Sequence, residues 1–439
     1  MRIAVLVPRP DEFVRSLTAA RSKLTLPSRD RQGAFFAVTV LAAFAATLAG
    51  QTFQQKGYVD LRTTLFPQTA PNDSGRVIAD TLFRYEVSAK LTPWFKLNGA
   101  MDARTDTHRQ TERSLRFDWQ DRGFLRPAFS FRRFSATAFK GPVTFEIGKQ
   151  FIRWGKADIL NPLDRFAPRD FLNVTDNEFL GVMAARLTIE KGPHTIDIVL
   201  QPRFTPSRTP LLNQRWVVLP RDLLIPLPLS QGAPQLPGGV QTGARWNYLG
   251  NGYEMALAFY EGHNHLPQVE GRLIPNRIEL FNRFAQMRMY GGAGAVPLPW
   301  FTVKGEGGYF SSTNKSADNY LLYVVQLERT VGEWTLVGGY SGEHVTQKKT
   351  QLDFAPDRGL ARAFLMRASY NIDSDRTVSG EAAIRQNGEG AWLKSEYTQT
   401  LSTHWQARAS FTLIRGGAND FLGQYRRNSH AILAMRYSF

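Results

Sequence analysis

The 439-residue chain carries 54 Lys+Arg against 38 Asp+Glu, a formal charge of +16, and contains no cysteine. That excludes a disulfide framework, a thiolate metal site and a cysteine nucleophile, while 43% hydrophobic residues exclude a disordered chain. A mean hydropathy of -0.30 argues against a helical membrane bundle, but not against a membrane β-barrel, where only every second strand residue faces lipid.

Residues 33–50 form the single long apolar run, preceded by Arg29 and Arg31. The pattern predicts a signal peptide over 1–49 with cleavage after Ala49; an N-terminal anchor is the alternative, although the run is short for a spanning helix. Removing 1–49 takes away seven basic and three acidic residues and leaves +12. No Lys/Arg-rich tract, helix-turn-helix pattern or Cys/His finger accompanies that charge, so nucleic acid is not an expected partner.

From Gly57 onward the period is two. Phe83, Tyr85, Val87, Ala89 and Leu91 alternate with Arg84, Glu86, Ser88 and Lys90. The same alternation runs through 95–104, 194–203, 301–309, 405–413 and 431–439, and it is the strand signature. Short turns are expected at 91–93, 140–142, 191–193, 250–252, 297–299, 331–333, 373–375 and 402–404. Longer polar stretches lie at 105–126, 155–177, 205–240, 262–277, 345–359 and 417–427. Short turns alternating with long loops are the asymmetry of an outer-membrane barrel. Trp94, Trp300, Trp334 and Trp405 each follow a turn, which predicts an aromatic girdle at the inner interface. Eight hairpins and one strand at each end make 18 strands; poor alternation over 128–139 and 278–296 leaves 16 open. The expected fold is all-β: a single transmembrane antiparallel up-and-down β-barrel over 50–439.

The apolar face of the last strand ends in Met435, Tyr437 and Phe439. It resembles the C-terminal assembly signal of Gram-negative outer-membrane barrels. That resemblance implies an integral outer-membrane protein whose partners are the barrel-assembly machinery, membrane lipid and lipopolysaccharide, with a trimer as one possible state.

If the apolar faces meet lipid, the opposite faces place Arg84, Glu86, Lys96, Asp102, Lys304, Glu306, Arg385, Lys394, Glu396, Arg408 and Arg436 in the lumen. So many ionisable groups would be costly in a dry core, which favours a water-filled interior; a salt-bridged plug is the alternative. Segment 146–173 carries Lys149, Arg153, Lys156, Asp158, Asp164, Arg165, Arg169 and Asp170. Folded inward as loop 155–177, it would form a constriction whose cations favour anions and whose facing acids create a transverse field. An ordinary outer loop shaped by Arg–Asp pairs is the alternative. Lys149 falls on the lipid side of its strand unless Gly148 marks a bulge.

The runs Gly148-Lys149-Gln150, Trp154-Gly155-Lys156-Ala157-Asp158, Asn161-Pro162 and Pro168-Arg169-Asp170, with the later Gln201-Pro202-Arg203 and Arg215-Trp216, resemble poorly characterised Gram-negative outer-membrane barrels. These are porin-like and related to alginate-export-type channels, and the resemblance covers about 143–216. It implies a passive channel, with Lys149, Arg153 and Arg169 the positions where a polyanionic substrate would be handled. The Pro-rich loop 205–240, with its apolar stretch 216–229, offers either a capture site for hydrophobic solutes or packing against neighbouring loops. No catalytic, metal or cofactor-binding pattern appears. The expected function is passive diffusion of small anionic or mixed solutes. Export of an acidic polysaccharide, uptake of hydrophobic compounds and a plugged, partner-binding barrel are the alternatives.

Overall fold

Period-two alternation with glycine or proline at the turns gives a ladder of hairpins. In the structure, a computed structural model, that ladder closes on itself. Residues 52–218, 227–313, 317–349 and 358–439 are described. The predicted signal peptide lies outside them, as do 219–226 and 350–357 of the two long loops that contain them.

Eighteen strands make the barrel: β1 (Thr52–Leu65), β2 (Val77–Thr92), β3 (Phe95–Asp106), β4 (Phe129–Lys140), β5 (Val143–Gln150), β6 (Val182–Lys191), β7 (His194–Gln201), β8 (Gln241–Gly250) and β9 (Tyr253–His263), then β10 (Gln286–Pro297), β11 (Thr302–Ser311), β12 (Asn319–Val331), β13 (Trp334–Gln347), β14 (Ala363–Asn371), β15 (Arg376–Arg385), β16 (Gly390–Thr400), β17 (Trp405–Gly416) and β18 (His430–Ser438). Each pairs antiparallel with the next, and β18 returns to β1 with Leu61 opposite Met435. Beyond the last pair, Gly57 and Phe439 exchange backbone hydrogen bonds of 2.9 Å each way, and the Phe439 ring stacks on Phe83. Closure removes the edge strands that hydrocarbon would not tolerate.

All eight short turns fall where the sequence places them, and the four tryptophans beside them are exposed. Outward side chains such as Phe83, Leu257, Leu327 and Leu433 form an exposed apolar surface. With the closed sheet, this makes the chain an integral outer-membrane barrel.

Two irregularities set the strand phase that the sequence leaves open. Between β3 and β4 the register shifts at Ala100/Met101, and consecutive Arg132 and Arg133 both reach carboxylates, Glu178 at 2.7 Å and Glu146 at 2.9 Å. In β5, Phe145 and Ile147 are exposed, but Gly148 takes φ +121° and Lys149 turns into the interior, 2% exposed. Gly148 keeps its register with Ser135 and Ala184, at a backbone angle that only glycine enters without strain.

The region 278–296 splits at Phe284–Ala285. Residues 277–283 pair with 268–274 in a small outer sheet, to which 229–231 adds in parallel; 286–297 is β10. The alternation there is weak for a second reason. Met287, Met289, Phe310, Tyr320, Leu322 and Val324 point inward and are buried, so β10 and the adjoining parts of β11 and β12 are apolar on the inner face as well. What covers their inner face is segment 151–166.

Candidate constriction site

The chain leaves β5 at Gln150 and lays Ile152, Trp154, Leu163 and Phe166 on that inner apolar surface, beside Tyr260, Met289 and Phe310. Glycines in the wall make the room. A Cβ at Gly243 would stand 2.7 Å from Phe166 and 2.8 Å from Trp154, and Leu163 sits over Gly291. Polar anchors flank this core. The Glu306 carboxylate, projecting from β11, accepts the N–H groups of Lys156 (2.7 Å), Ala157 (3.2 Å) and Leu163 (2.7 Å). Gln326 on β12 bonds Asp158 through both its backbone and its carboxylate. Asp164 accepts from Trp154 N and Gly155 N at 2.6 and 2.7 Å, closing the segment on itself.

Beyond Phe166 the loop crosses to the wall made by β1–β4 and enters a buried ionic network. Arg84 binds Asp102 through two bonds of 2.7 and 2.8 Å. Arg104 and Arg132 reach Glu178 at 2.8 and 2.7 Å, and Arg62 pairs with Asp176. Asp170 accepts both arms of Arg126 and one from Arg208; Asp121 takes Arg208 and Lys149. These groups line a cavity of about 40 Å³. Burial alone would raise the Asp121 carboxyl, but Arg208 and Lys149 outweigh it and hold it at about 2. Asp170 and Glu178 are likewise depressed: burial raises each, and the arginines around them more than offset it.

Between these two anchored regions lies a group that is not neutralised. The guanidiniums of Arg153 and Arg169 flank the Phe179 ring at 4.3 and 4.1 Å, a cation–π arrangement on both faces. Arg165 lies over Phe310 at 5.0 Å, and its Nε has no partner among the described residues. Asp164 is the carboxylate they share, 3.4 Å from Arg153 Nε and already committed to two backbone N–H groups. Burial lowers Arg169 to about 10, with Asp164 opposing and Arg153 and Arg165 adding to the fall, so it stays cationic at neutral pH.

The eight residues singled out in 149–170 thus divide. Arg153 and Arg169 gather around Phe179 with Asp164 near both, and Arg165 lies over Phe310. Lys156 reaches Glu254 and Asn247, and Asp158 reaches Gln326 and Lys304. Lys149 and Asp170 are buried in the ionic network. Of the eleven lumen candidates, Arg84, Asp102 and Glu306 are buried. Glu86 pairs with Lys56 (3.2 Å), Lys304 with Glu328, Arg385 with Asp420 (3.3 Å), Lys394 with Glu396 (3.1 Å) and Arg436 with Asp60 (3.3 Å). Lys96 stands opposite buried Thr137. Arg408 and Lys394 act with Arg62 on Asp176, which burial would raise but these cations pull below its ordinary value. Phe179, Glu178, Asp176, Asp121 and Arg208 were not visible as site residues in the sequence; no periodicity or spacing marks them. Trp216 of the Pro-rich loop packs near Phe66, Ile78 and Ile414 rather than facing solvent.

The architecture is that of the outer-membrane porins, a closed 18-stranded barrel with long loops at one end. Among solved structures, the chain is similar to a BenF-like porin from Pseudomonas fluorescens Pf-5, with 11% identity, 89% of this chain and 98% of that one covered, and a TM-score of 0.52. It is also similar to Pseudomonas aeruginosa OccK3 (OpdO), with 9% identity, 88% and 96% covered, and a TM-score of 0.51. Pseudomonas aeruginosa OpdK with vanillate gives 10% identity, 88% and 98% covered, and a TM-score of 0.51. At such identities the likeness is one of fold. No family model matches the sequence, and no curated protein does.

Proposed function

We propose that this protein is a passive outer-membrane channel for small anionic solutes, with segment 151–181 forming its constriction. The observation that carries the reading is the Arg153, Arg165 and Arg169 cluster, three guanidiniums against the single carboxylate of Asp164. An uncompensated positive site in a confined lumen lowers the barrier for an anion and raises it for a cation. Phe179 keeps two of the guanidiniums in place. Export of an acidic polysaccharide, which the motif resemblance over 143–216 suggests, would need an unbroken basic track. Pairs such as Arg84–Asp102 and Lys394–Glu396 interrupt one, which favours small solutes.

Reconstitution in a planar bilayer tests the proposal. Wild-type protein is expected to carry a steady current whose reversal potential in a salt gradient favours anions. Arg153→Glu combined with Arg169→Gln is expected to abolish or reverse that preference. No steady current from folded wild-type protein would replace the channel with a plugged barrel, and an unchanged reversal potential in the double variant would remove the cluster from the selectivity step.

A further inference from the structure

Glu306 lies far in sequence from the constriction segment, 150 residues beyond Lys156, and is 4% exposed. Its carboxylate is wrapped by backbone rather than by a cation: Oε2 accepts from Lys156 N and Ala157 N, and Oε1 from Leu163 N. Successive N–H groups turned onto one anion form a concave backbone nest, and charge-assisted bonds of this kind are about twice as strong as neutral ones. The residues between its arms are the Trp154-Gly155-Lys156-Ala157-Asp158 run and Asn161-Pro162. Asn161 Nδ2 bonds Ala157 O across the nest, and Leu163 is fully buried against Gly291. Asp164 and Arg165 come directly after the nest, and Arg153 lies three residues before it.

Resting on the reading of segment 151–181 as the constriction, we propose that Glu306 is the wall residue that positions it. The carboxylate templates the turn 156–163, and the turn sets how far Arg153 and Arg165 stand from the opposite wall. Glu306 is a positioning residue: it acts on permeating anions through the loop and not by contact.

The sign of one measurement separates positioning from simple charge. Deleting a lumen carboxylate makes any channel more anion-selective, because one repulsive charge is gone. Glu381→Gln supplies that reference, since Glu381 faces inward and pairs with Arg367 on the wall at 3.4 Å. Glu306→Gln keeps the shape but turns a two-oxygen acceptor into one oxygen and an NH₂ group facing N–H donors. It is expected to move selectivity the other way, toward weaker anion preference, with single-channel conductance raised about two-fold as the loop leaves the wall.

Hydrogen exchange on the folded barrel gives a readout independent of current. The amides of Lys156, Ala157 and Leu163 are expected to exchange about ten-fold faster in Glu306→Gln, with the strand amides unchanged. Unaltered exchange at those three amides would overturn the proposal, as would a Glu306→Gln reversal potential that shifts in the same direction as that of Glu381→Gln. If wild-type protein carries no current, the channel reading fails while the exchange result still decides whether Glu306 holds the loop.

Discussion

Asp121 shows how much can rest on one side chain in this interior. It is 6% exposed and lies between Lys149, 2% exposed, and Arg208, 4% exposed. Removing one partner of a buried ion pair costs about 3–5 kcal/mol, because the other charge is left without compensation. Asp121→Asn strands Lys149, whose remaining bond is to Phe131 O, while Arg208 keeps Asp170. The variant is expected to lose its folded electrophoretic form at a clearly lower temperature than wild type; an unchanged transition would mean that Lys149 finds another partner. At Gly243 the constraint is space. Gly243→Ala must displace Phe166, Trp154 or the Phe259 carbonyl, an overpacking cost of about 1–3 kcal/mol. Because the ring that gives way belongs to the loop, conductance as well as thermal stability is expected to change. A stability loss with wild-type conductance would place the adjustment in the wall instead.

At the scale of the element, the strands were legible and the loop that crosses them was not. Alternation is a local signal: Trp405–Leu413 shows its face without knowledge of its neighbours, and Gly192-Pro193 or Gly332-Glu333 marks a turn by backbone preference alone. The signal failed at β10, where inward Met287 and Met289 are apolar because they pack with Trp154 and Leu163, residues more than 120 positions away in the chain. Within 149–170 the cations and acids were found by type. Which are buried in pairs and which remain free depends on Asp121, Glu178 and Arg208, and these become neighbours only when the barrel closes. Gly148 is the one place where a local clue anticipated the tertiary answer. Gly148→Val puts a branched side chain at φ +121° and against the Phe134 carbonyl. It is expected to reduce the yield of folded barrel sharply, or to force Lys149 back toward lipid, and the folded fraction after refolding into detergent measures this. Wild-type yield would show that the inward turn of Lys149 does not depend on the glycine.

For the whole molecule, the outer loops are fastened to the inner wall mostly by groups whose ionisation the fold has shifted in one direction, and that makes the response to acid predictable. Burial lowers His265 to about 4 from an ordinary 6.5. Its Nδ1 lies 2.6 Å from Thr205 O and its Nε2 2.8 Å from Arg165 O, and the neutral ring donates its one N–H to one of these carbonyls. A histidine depressed in the folded state favours folding above its unfolded pKa, and that contribution is lost as pH falls from about 6.5 toward 4. For Asp121, at about 2, and for Asp170, Asp176 and Glu178, all depressed, the stabilisation is complete above the ordinary carboxylate range and disappears as pH falls below about 4. Both sets act in the same sense, so these fastenings weaken on acidification. The His265 step comes first and is local to Arg165; the carboxylate step comes later and frees 169–181 from β1–β4. Current noise, and amide exchange of 151–181 relative to its intrinsic rate, are expected to rise in two stages from pH 7.5 to 3. His265→Gln should remove the upper stage and Asp121→Asn should shift the lower one. A cap that tightens on acidification, or exchange rates that follow only the intrinsic pH dependence down to 3, would contradict the assignment of these groups as the fastenings.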